Sequence, residues 1–305
     1  MLRPLASLPI VQAALAAALL TACAGKTQPP LTPAGVPIVR IERGFTNTYL
    51  LLGAQHVVVV DTATPGHERR ILRALKRHER RPQDVSAIVL THAHADHAGS
   101  AAALRAATGA RIVAGKADAA TLLRGHNDPM QPTDKPGKRL LPLLRKDYPA
   151  FSADTLVDGE FDLHPLGVPA RVLALPGHTP GSLAVVLDDG QAIGGDLVRG
   201  KLMARSQPVL HFFHHDIAQA HHQLARLLDE FNVQRLHPGH GHALEAAALR
   251  AYLAGRSDVG ARPSHSPNSA QPAATGTATP ASAASPRPNP DSPRNTQAEA
   301  VSPPR

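Results

Sequence analysis

Cysteine is almost absent from this chain: of 305 residues, only Cys23 is one. A disulfide within the chain is therefore excluded, and so are cysteine metal ligands anywhere in the body of the sequence. Aromatic residues make up only 3%. The formal charge is +8, and Arg69 to Arg81 carries much of the body's excess. No aromatic cluster and no nucleic-acid-binding module accompanies these cations. The stretch reads as the solvated face of a helix, and nucleic acid is not an expected partner. Long apolar runs are missing as well. The N-terminal MLRPLASLPIVQAALAAALL is too short and too weakly flanked to favour a membrane span. One positive charge at Arg3, an Ala-rich apolar run and small residues after it form a secretory signal pattern.

The end of that run, LTAC at Leu20 to Cys23, resembles the bacterial lipobox, in which the cysteine is lipidated and becomes the first mature residue. The resemblance implies export and a lipid anchor at Cys23, holding the protein on the periplasmic side of a bacterial cell envelope. Ala24 and Gly25 resemble outer-membrane sorting residues. The expected organisation is a signal peptide over 1–22, a tether over 23–34, one domain over 35–256 and a tail over 257–305. The tail is Pro, Ala, Ser and Thr with scattered charge, as in TPASAASPRPNP. It cannot bury enough apolar surface to offset its chain entropy and reads as disordered. The remaining residues, about 220, suffice for one well-buried core by the scaling of buried surface with chain length.

Within that domain, Pro37 to Glu42 and Asn47 to Leu52 read as short strands. HVVVVD (56–61) and VSAIVL (85–90) are continuous apolar runs, the mark of strands buried on both faces. HERRILRALKRHE (67–79) places Ile71, Leu72 and Leu75 at helical spacing. A helix is expected from Ala98 to Thr108 and a strand over ARIVAG. Further strands are RVLALP (171–176), SLAVVLDD (182–189), QAIGGD (191–196) and Gln234 to Leu236. Helices follow at Asp216 to Phe231 and Leu244 to Ala254. Two mixed β-sheets packed together with helices outside, an α/β four-layer αββα sandwich, fit this order best.

Four motifs each follow a strand. THAHADHAGS (91–100) puts His92 and His94 two apart in extended backbone, facing one side. Asp96 and His97 fall where the chain turns into a helix and can face a second point. Imidazole nitrogen and carboxylate oxygen are zinc ligands. LPGHTPGS (175–182) places His178 on a turn between two glycines. IGGD ends at Asp196. HPGHG (237–241) offers His240 between glycines, with His237 as a supporting or surface residue.

HAHADH, GHTPGS, GGD and PGHG, in this order over residues 92 to 241, resemble the metallo-β-lactamase superfamily, whose αββα sandwich agrees with the strand order above. Carried over residue by residue, the resemblance implies two divalent metal ions, zinc first, with iron or manganese as alternatives. His92, His94 and His178 would hold the first. Asp96, His97 and His240 would hold the second, and Asp196 would bridge them. Asp61 resembles an aspartate that supports the site by hydrogen bonding, with capping of the turn before the Arg69 helix as its other reading. The implied chemistry is a hydrolase: a water activated by both ions attacks an ester, thioester, lactone or lactam carbonyl of a small substrate. Asp96 would act as the catalytic carboxylate that orients the water and moves its proton. A mononuclear iron oxygenase acting on a persulfide and a metal-binding lipoprotein without turnover are the alternatives. The lactonase branch adds a tyrosine over the metals, and Tyr148 is the candidate for it. Lys116 to Ala153 is expected to form a lid or pocket wall. In Leu197 to His215, Arg199, Lys201 or Arg205 would grip an anionic substrate, with His211, Phe212 and Phe213 lining an apolar wall.

Overall fold

The computed structural model describes residues 35–256. The expected signal peptide, Cys23, the tether and the tail lie outside the described residues. Among the described residues no helix is long and apolar enough to cross a membrane.

The first half builds one six-stranded sheet. Its strands are β1 (Ile38–Arg43), β2 (Thr46–Leu52), β3 (Val57–Val60), β4 (Val85–Val89), β5 (Arg111–Gly115) and β6 (Thr155–Val157), lying side by side in that order. The first two pairings are antiparallel and β3 to β6 are parallel. The second half builds the other sheet from β7 (Glu160–Asp162), β8 (Ala170–Ala174), β9 (Leu183–Leu187), β10 (Gln191–Gly195), β13 (Arg235–Pro238) and β14 (Leu244–Glu245). Its order is β14-β13-β10-β9-β8-β7. A small pair, β11 (Arg199–Gly200) and β12 (Pro208–Val209), stands apart.

The period of two along each strand explains the layers. In β3, Val57 and Val59 face outward onto a helix layer, with Ile71, Leu75 and Leu104 in the same cluster. Val58 and Val60 face inward and meet Val172, Val185 and Ile193 of the opposite sheet. The far face of the second sheet packs Val186 and Ala192 against Leu224, Leu227 and Leu249. Both faces of the central strands are covered, which is why VVVV is apolar at every position. The outer helices are α1 (Glu68–Arg77) and α3 (Ala101–Thr108) on one side, α6 (Ile217–Asp229) and α7 (Ala246–Ala254) on the other. The fold is the αββα sandwich expected.

Some local expectations change. Asp96 and His97 sit inside their own helical turn, α2 (Ala95–Ala98), before α3 begins at Ala101. Leu244 and Glu245 pair with β13 before α7 starts. Strands β6, β7, β11 and β12 are too short to show a periodicity in sequence. The 116–153 segment forms the short helices α4 (Ala119–Arg124) and α5 (Lys135–Leu140).

Candidate metal centre

Loops at the ends of β3, β4, β8, β10 and β13 open on one edge of the sandwich. Backbone fit there is tight. Gly195 takes φ +52, and a Cβ on it would lie 2.7 Å from Thr91 Oγ1. A Cβ on Gly239 would lie 2.2 Å from Asp196 Oδ1. Side chains at either position would push into the cluster.

Asp61 ends β3 in a left-handed conformation, φ +61. Its Oδ1 accepts the backbone N–H of Thr91 at 2.8 Å, and its Oδ2 accepts the Thr91 hydroxyl at 2.8 Å. His97 Nδ1 also lies 2.8 Å from Oδ2. The carboxylate faces the histidines and does not cap α1. Because Thr91 Oγ1 gives its proton to Asp61, it accepts from His92 Nδ1 at 3.1 Å. His178 Nδ1 donates to Phe213 O at 2.9 Å and His240 Nδ1 to Phe45 O at 2.8 Å. In four rings the outer nitrogen is thus the donor, which leaves each Nε2 lone pair turned inward. His94 presents Nδ1 instead, 3.1 Å from His178 Nε2.

The inward atoms surround Asp196 Oδ2. His240 Nε2 lies 3.2 Å from it, His97 Nε2 3.4 Å, His178 Nε2 3.6 Å and His92 Nε2 3.8 Å. Asp96 Oδ2 is 3.5 Å from His240 Nε2 and 3.7 Å from His97 Nε2. His92 Nε2 and Asp196 Oδ1 are buried without any hydrogen-bond partner. Metal–ligand bonds of 2.0–2.1 Å arranged tetrahedrally set ligand atoms roughly 3.3–3.4 Å apart. These spacings bracket that value, so the residues fit metal ions better than they fit one another. The groupings are His92 with His94 and His178, Asp96 with His97 and His240, and His92 with His97 and Asp196.

Electrostatics divide the rings into two kinds: neutral lone-pair donors, and rings that the carboxylates favour in the charged form when only protein groups surround them. Burial pushes the His92 and His178 imidazoles well below their ordinary pKa, so both are neutral. Burial also works against charge on His97 and His240, but Asp196 and its carboxylate neighbours outweigh it and raise both. Burial would raise Asp196; the imidazoles of His240, His211 and His97 outweigh that and hold it well below the carboxylate range.

Three side chains brace the His92–His97 loop, two of which, Asp118 and Asn127, the sequence did not flag. Asp118 accepts from Ala93 N at 3.0 Å, Gly181 N at 2.8 Å and Thr179 Oγ1 at 2.8 Å, and so ties the first histidine loop to the His178 turn. Asn127 Oδ1 accepts from Ala95 N at 2.8 Å. Tyr148, the candidate for a tyrosine over the metals, is instead buried and donates to Ala93 O at 2.7 Å. It pins the loop from below, and that expectation is corrected. The 116–153 segment is both brace and wall: Leu140, Leu143 and Leu144 line the cavity, while Tyr148 and Phe151 join the core of the first half.

That cavity measures about 770 Å³ and opens beside Asp96, Asp196 and His240. Arg199, Lys201 and Arg205 all reach its wall. Arg205 is committed to Glu42 at 2.6 Å. Arg199 is buried with its guanidinium 3.8 Å above the Phe212 ring, and Lys201 is exposed. His211, expected as part of an apolar wall, is turned into the cluster with Nε2 3.3 Å from Asp196 Oδ2. Its signal in sequence is only a histidine in the HFFHH run, which has no ligand spacing. His237 stays outside, bonded to Gln191 Oε1 at 2.9 Å.

An αββα sandwich with a convergent His/Asp cluster at its strand ends defines a class of metal-binding proteins. The chain belongs to the metallo-β-lactamase superfamily, whose family model matches residues 41–240. The beta-lactamase-like protein 2 homolog of Drosophila melanogaster is 26% identical over 205 residues, 66% of this chain and 60% of that protein. A hydroxyacylglutathione hydrolase of Cereibacter sphaeroides is 34% identical over 168 residues, 55% of this chain and 52% of that protein. The chain therefore spans between half and two thirds of the length of these curated relatives. A metallo-β-lactamase HARLDQ-motif mutant from Cronobacter sakazakii superposes with a TM-score of 0.52 at 20% identity, over 72% of this chain and 88% of that one. That likeness establishes the fold alone.

Proposed function

We propose that the chain is a metal-dependent hydrolase that works with two divalent ions, zinc first. The observation that carries this reading is the set of inward ring nitrogens and carboxylate oxygens spaced like the corners of coordination polyhedra around Asp196 Oδ2. His92, His94 and His178 would hold one ion, and Asp96, His97 and His240 the other, with Asp196 shared. Such a pair supplies Lewis acidity, both to acidify a water and to polarise the oxygen of the bond under attack. Asp96 does the proton work. Its carboxyl is opposed by burial but held below its usual pKa by His97 and His240, so it stands ready as a base. It keeps 37% of its side chain exposed at the cavity floor and accepts from Thr46 Oγ1 at 3.3 Å. There it can orient the attacking water, take its proton and pass it to the leaving group.

The substrate proposed is a small ester, thioester, lactone or lactam with an anionic group. Of Arg199, Lys201 and Arg205, the first two remain to receive that group once Arg205 is paired with Glu42, and Arg43, Arg139 and Arg145 also line the cavity. The relatives named hydroxyacylglutathione hydrolase put thioesters first. Export and anchoring through a lipidated Cys23 on the periplasmic side, preferably of the outer membrane, belong to the same proposal; palmitate labelling lost in Cys23→Ala would support them. The main test is elemental analysis of protein never exposed to chelator, followed by a panel of thioester, lactone, lactam and phosphoester substrates with a His94→Ala control. Two transition-metal ions per chain and turnover lost in the control are expected. No bound metal, or one iron with oxygen uptake, would sink the reading.

A further inference from the structure

His211 belongs to neither of the two triads, yet it is built into the site. It is buried, and its Nε2 lies 3.3 Å from Asp196 Oδ2, the same spacing that the proposed ligands keep. With His178 and Asp196 it forms a separate group of ligand atoms within reach of a single ion. One backbone oxygen sets both rings: Phe213 O lies 2.9 Å from His178 Nδ1 and 3.1 Å from His211 Nδ1. The two imidazoles stand edge to face, 4.9 Å apart at 86°, and the His211 ring stacks on His240 at 20°. His211 Nδ1 meets Phe213 O at 3.1 Å and Phe213 N at 3.3 Å; with the shorter contact made as a donation to the oxygen, the Nε2 lone pair faces Asp196.

We propose that His211 is a further metal ligand, closing on the ion held by His178, and that metal loading thereby fastens the 197–215 loop that walls the cavity. The inference rests on the proposed metal centre but not on which bond the protein cleaves. The loop is also tied by the Arg205–Glu42 ion pair at 2.6 Å, by the bond from His178 Nδ1 to Phe213 O, and through backbone. Gly200 N donates to His240 O at 2.8 Å, and His215 N donates to His178 O at 3.0 Å. Between them the loop carries exposed Leu202 and Met203 and the short β11–β12 pair. His211 bonded to an ion would add an anchor at the metal end of the loop, away from the Arg205–Glu42 pair.

The test uses the full chain and zinc or cobalt(II) alone, so that turnover is not needed. Zinc affinity is read by competition with a chromophoric chelator for wild type, His211→Ala and His211→Gln. Cobalt(II) absorption reports the number of ligands. Hydrogen exchange of peptides spanning 199–213 is followed with and without zinc. Expected are two zinc ions in the wild type and, in both variants, one ion held roughly 10- to 100-fold more weakly, the range known for disturbed metal shells. The cobalt spectrum should change, and the zinc-dependent slowing of exchange in the loop should disappear. Unchanged affinity with an unchanged cobalt spectrum in both variants would overturn the role of His211 and leave the hydrolase reading standing. A wild-type protein that takes up no zinc at all would overturn both.

Discussion

The two halves of the cluster are built differently. His92, His94 and His178 are three buried, neutral imidazoles held by loops that Asp118 ties together. Asp96, His97 and His240 combine a carboxylate with two imidazoles, and they open to the cavity: Asp96 is 37% and His240 15% exposed. Their supports come from the first sheet, through Asp61, Thr46 and Phe45 O. The first half is therefore a rigid, dry socket of low ligand charge. The second carries more negative charge and faces the solvent, where substrate and water arrive. The contrast implies that the halves can be disabled separately, apart from the one atom they share.

The largest effect should come from that atom. Asp196→Asn removes the charge that five imidazoles surround, and both ions lose their common ligand. Metal content should fall below one per chain, and hydrolysis by about 10³-fold or more, the scale of losing a key electrostatic group. Elemental analysis and initial rates check it. A variant that keeps two ions would show that the halves do not depend on a bridge.

Next in size, His178→Ala and His240→Ala should each leave one ion per chain, from opposite halves. A rate loss of roughly 10²–10⁴-fold is expected for either, comparable to removing a positioned acid–base group. If His240→Ala emptied both sites, the independence of the buried half would be wrong.

The braces give smaller effects of different reach. Asp118→Asn removes charge from an acceptor of three bonds at the first half, and Asp61→Asn disturbs the partner of His97 at the second and, through Thr91, the orientation of His92 at the first. Asp118→Asn should weaken the first ion and Asp61→Asn both ions, by roughly 10- to 100-fold, and each should cost on the order of 1–3 kcal/mol of stability, as for a buried group left poorly bonded. Chelator competition with thermal unfolding separates the two. Equal weakening of both ions by Asp118→Asn would mean that its clamp serves the whole cluster.

The second half was easier to read from sequence than the supports of the first. HAHADH, GGD and PGHG carry their ligands in short motifs, because the ligands sit where a buried strand ends and the chain has little choice of direction. Asp61 was legible for the same reason, at the end of VVVV. Asp118 and Asn127 were not. Each acts by accepting from a backbone N–H of a loop 25 and 32 residues away in sequence, and such a contact leaves no pattern in side-chain types. His211 was hidden in an aromatic run whose direction depends on which way one carbonyl, Phe213 O, points. Tyr148 misled because its placement under Ala93 is decided by packing in the first-half core rather than by its distance along the chain from the histidines.

The smallest effect tests the comparison from outside. His67 is as buried as any of the cluster histidines, yet neither ring nitrogen has a partner, and Glu68 beside it stands in place of a convergent set of carboxylates. If burial alone made a ligand, His67 would qualify; convergence of ligand atoms is what sets the cluster histidines apart. Burial, helped by Arg43 and Arg70, lowers its pKa from 6.5 to about 4. Between those values the unfolded chain binds the proton and the folded chain does not. Stability is therefore lost as pH falls from 6.5 towards 4, and is fully present above 6.5. His67→Leu removes this proton uptake. The variant should match the wild type at pH 7.5 and exceed it by roughly 1–2 kcal/mol at pH 4.5, a discounted conversion at about 1.4 kcal/mol per pKa unit. Denaturant unfolding of zinc-free protein at the two pH values measures it, with the metal ligands left untouched in both proteins. Parallel loss in the two proteins would mean that His67 finds a partner for its charged form, and that its isolation is not what separates it from the six imidazoles of the site.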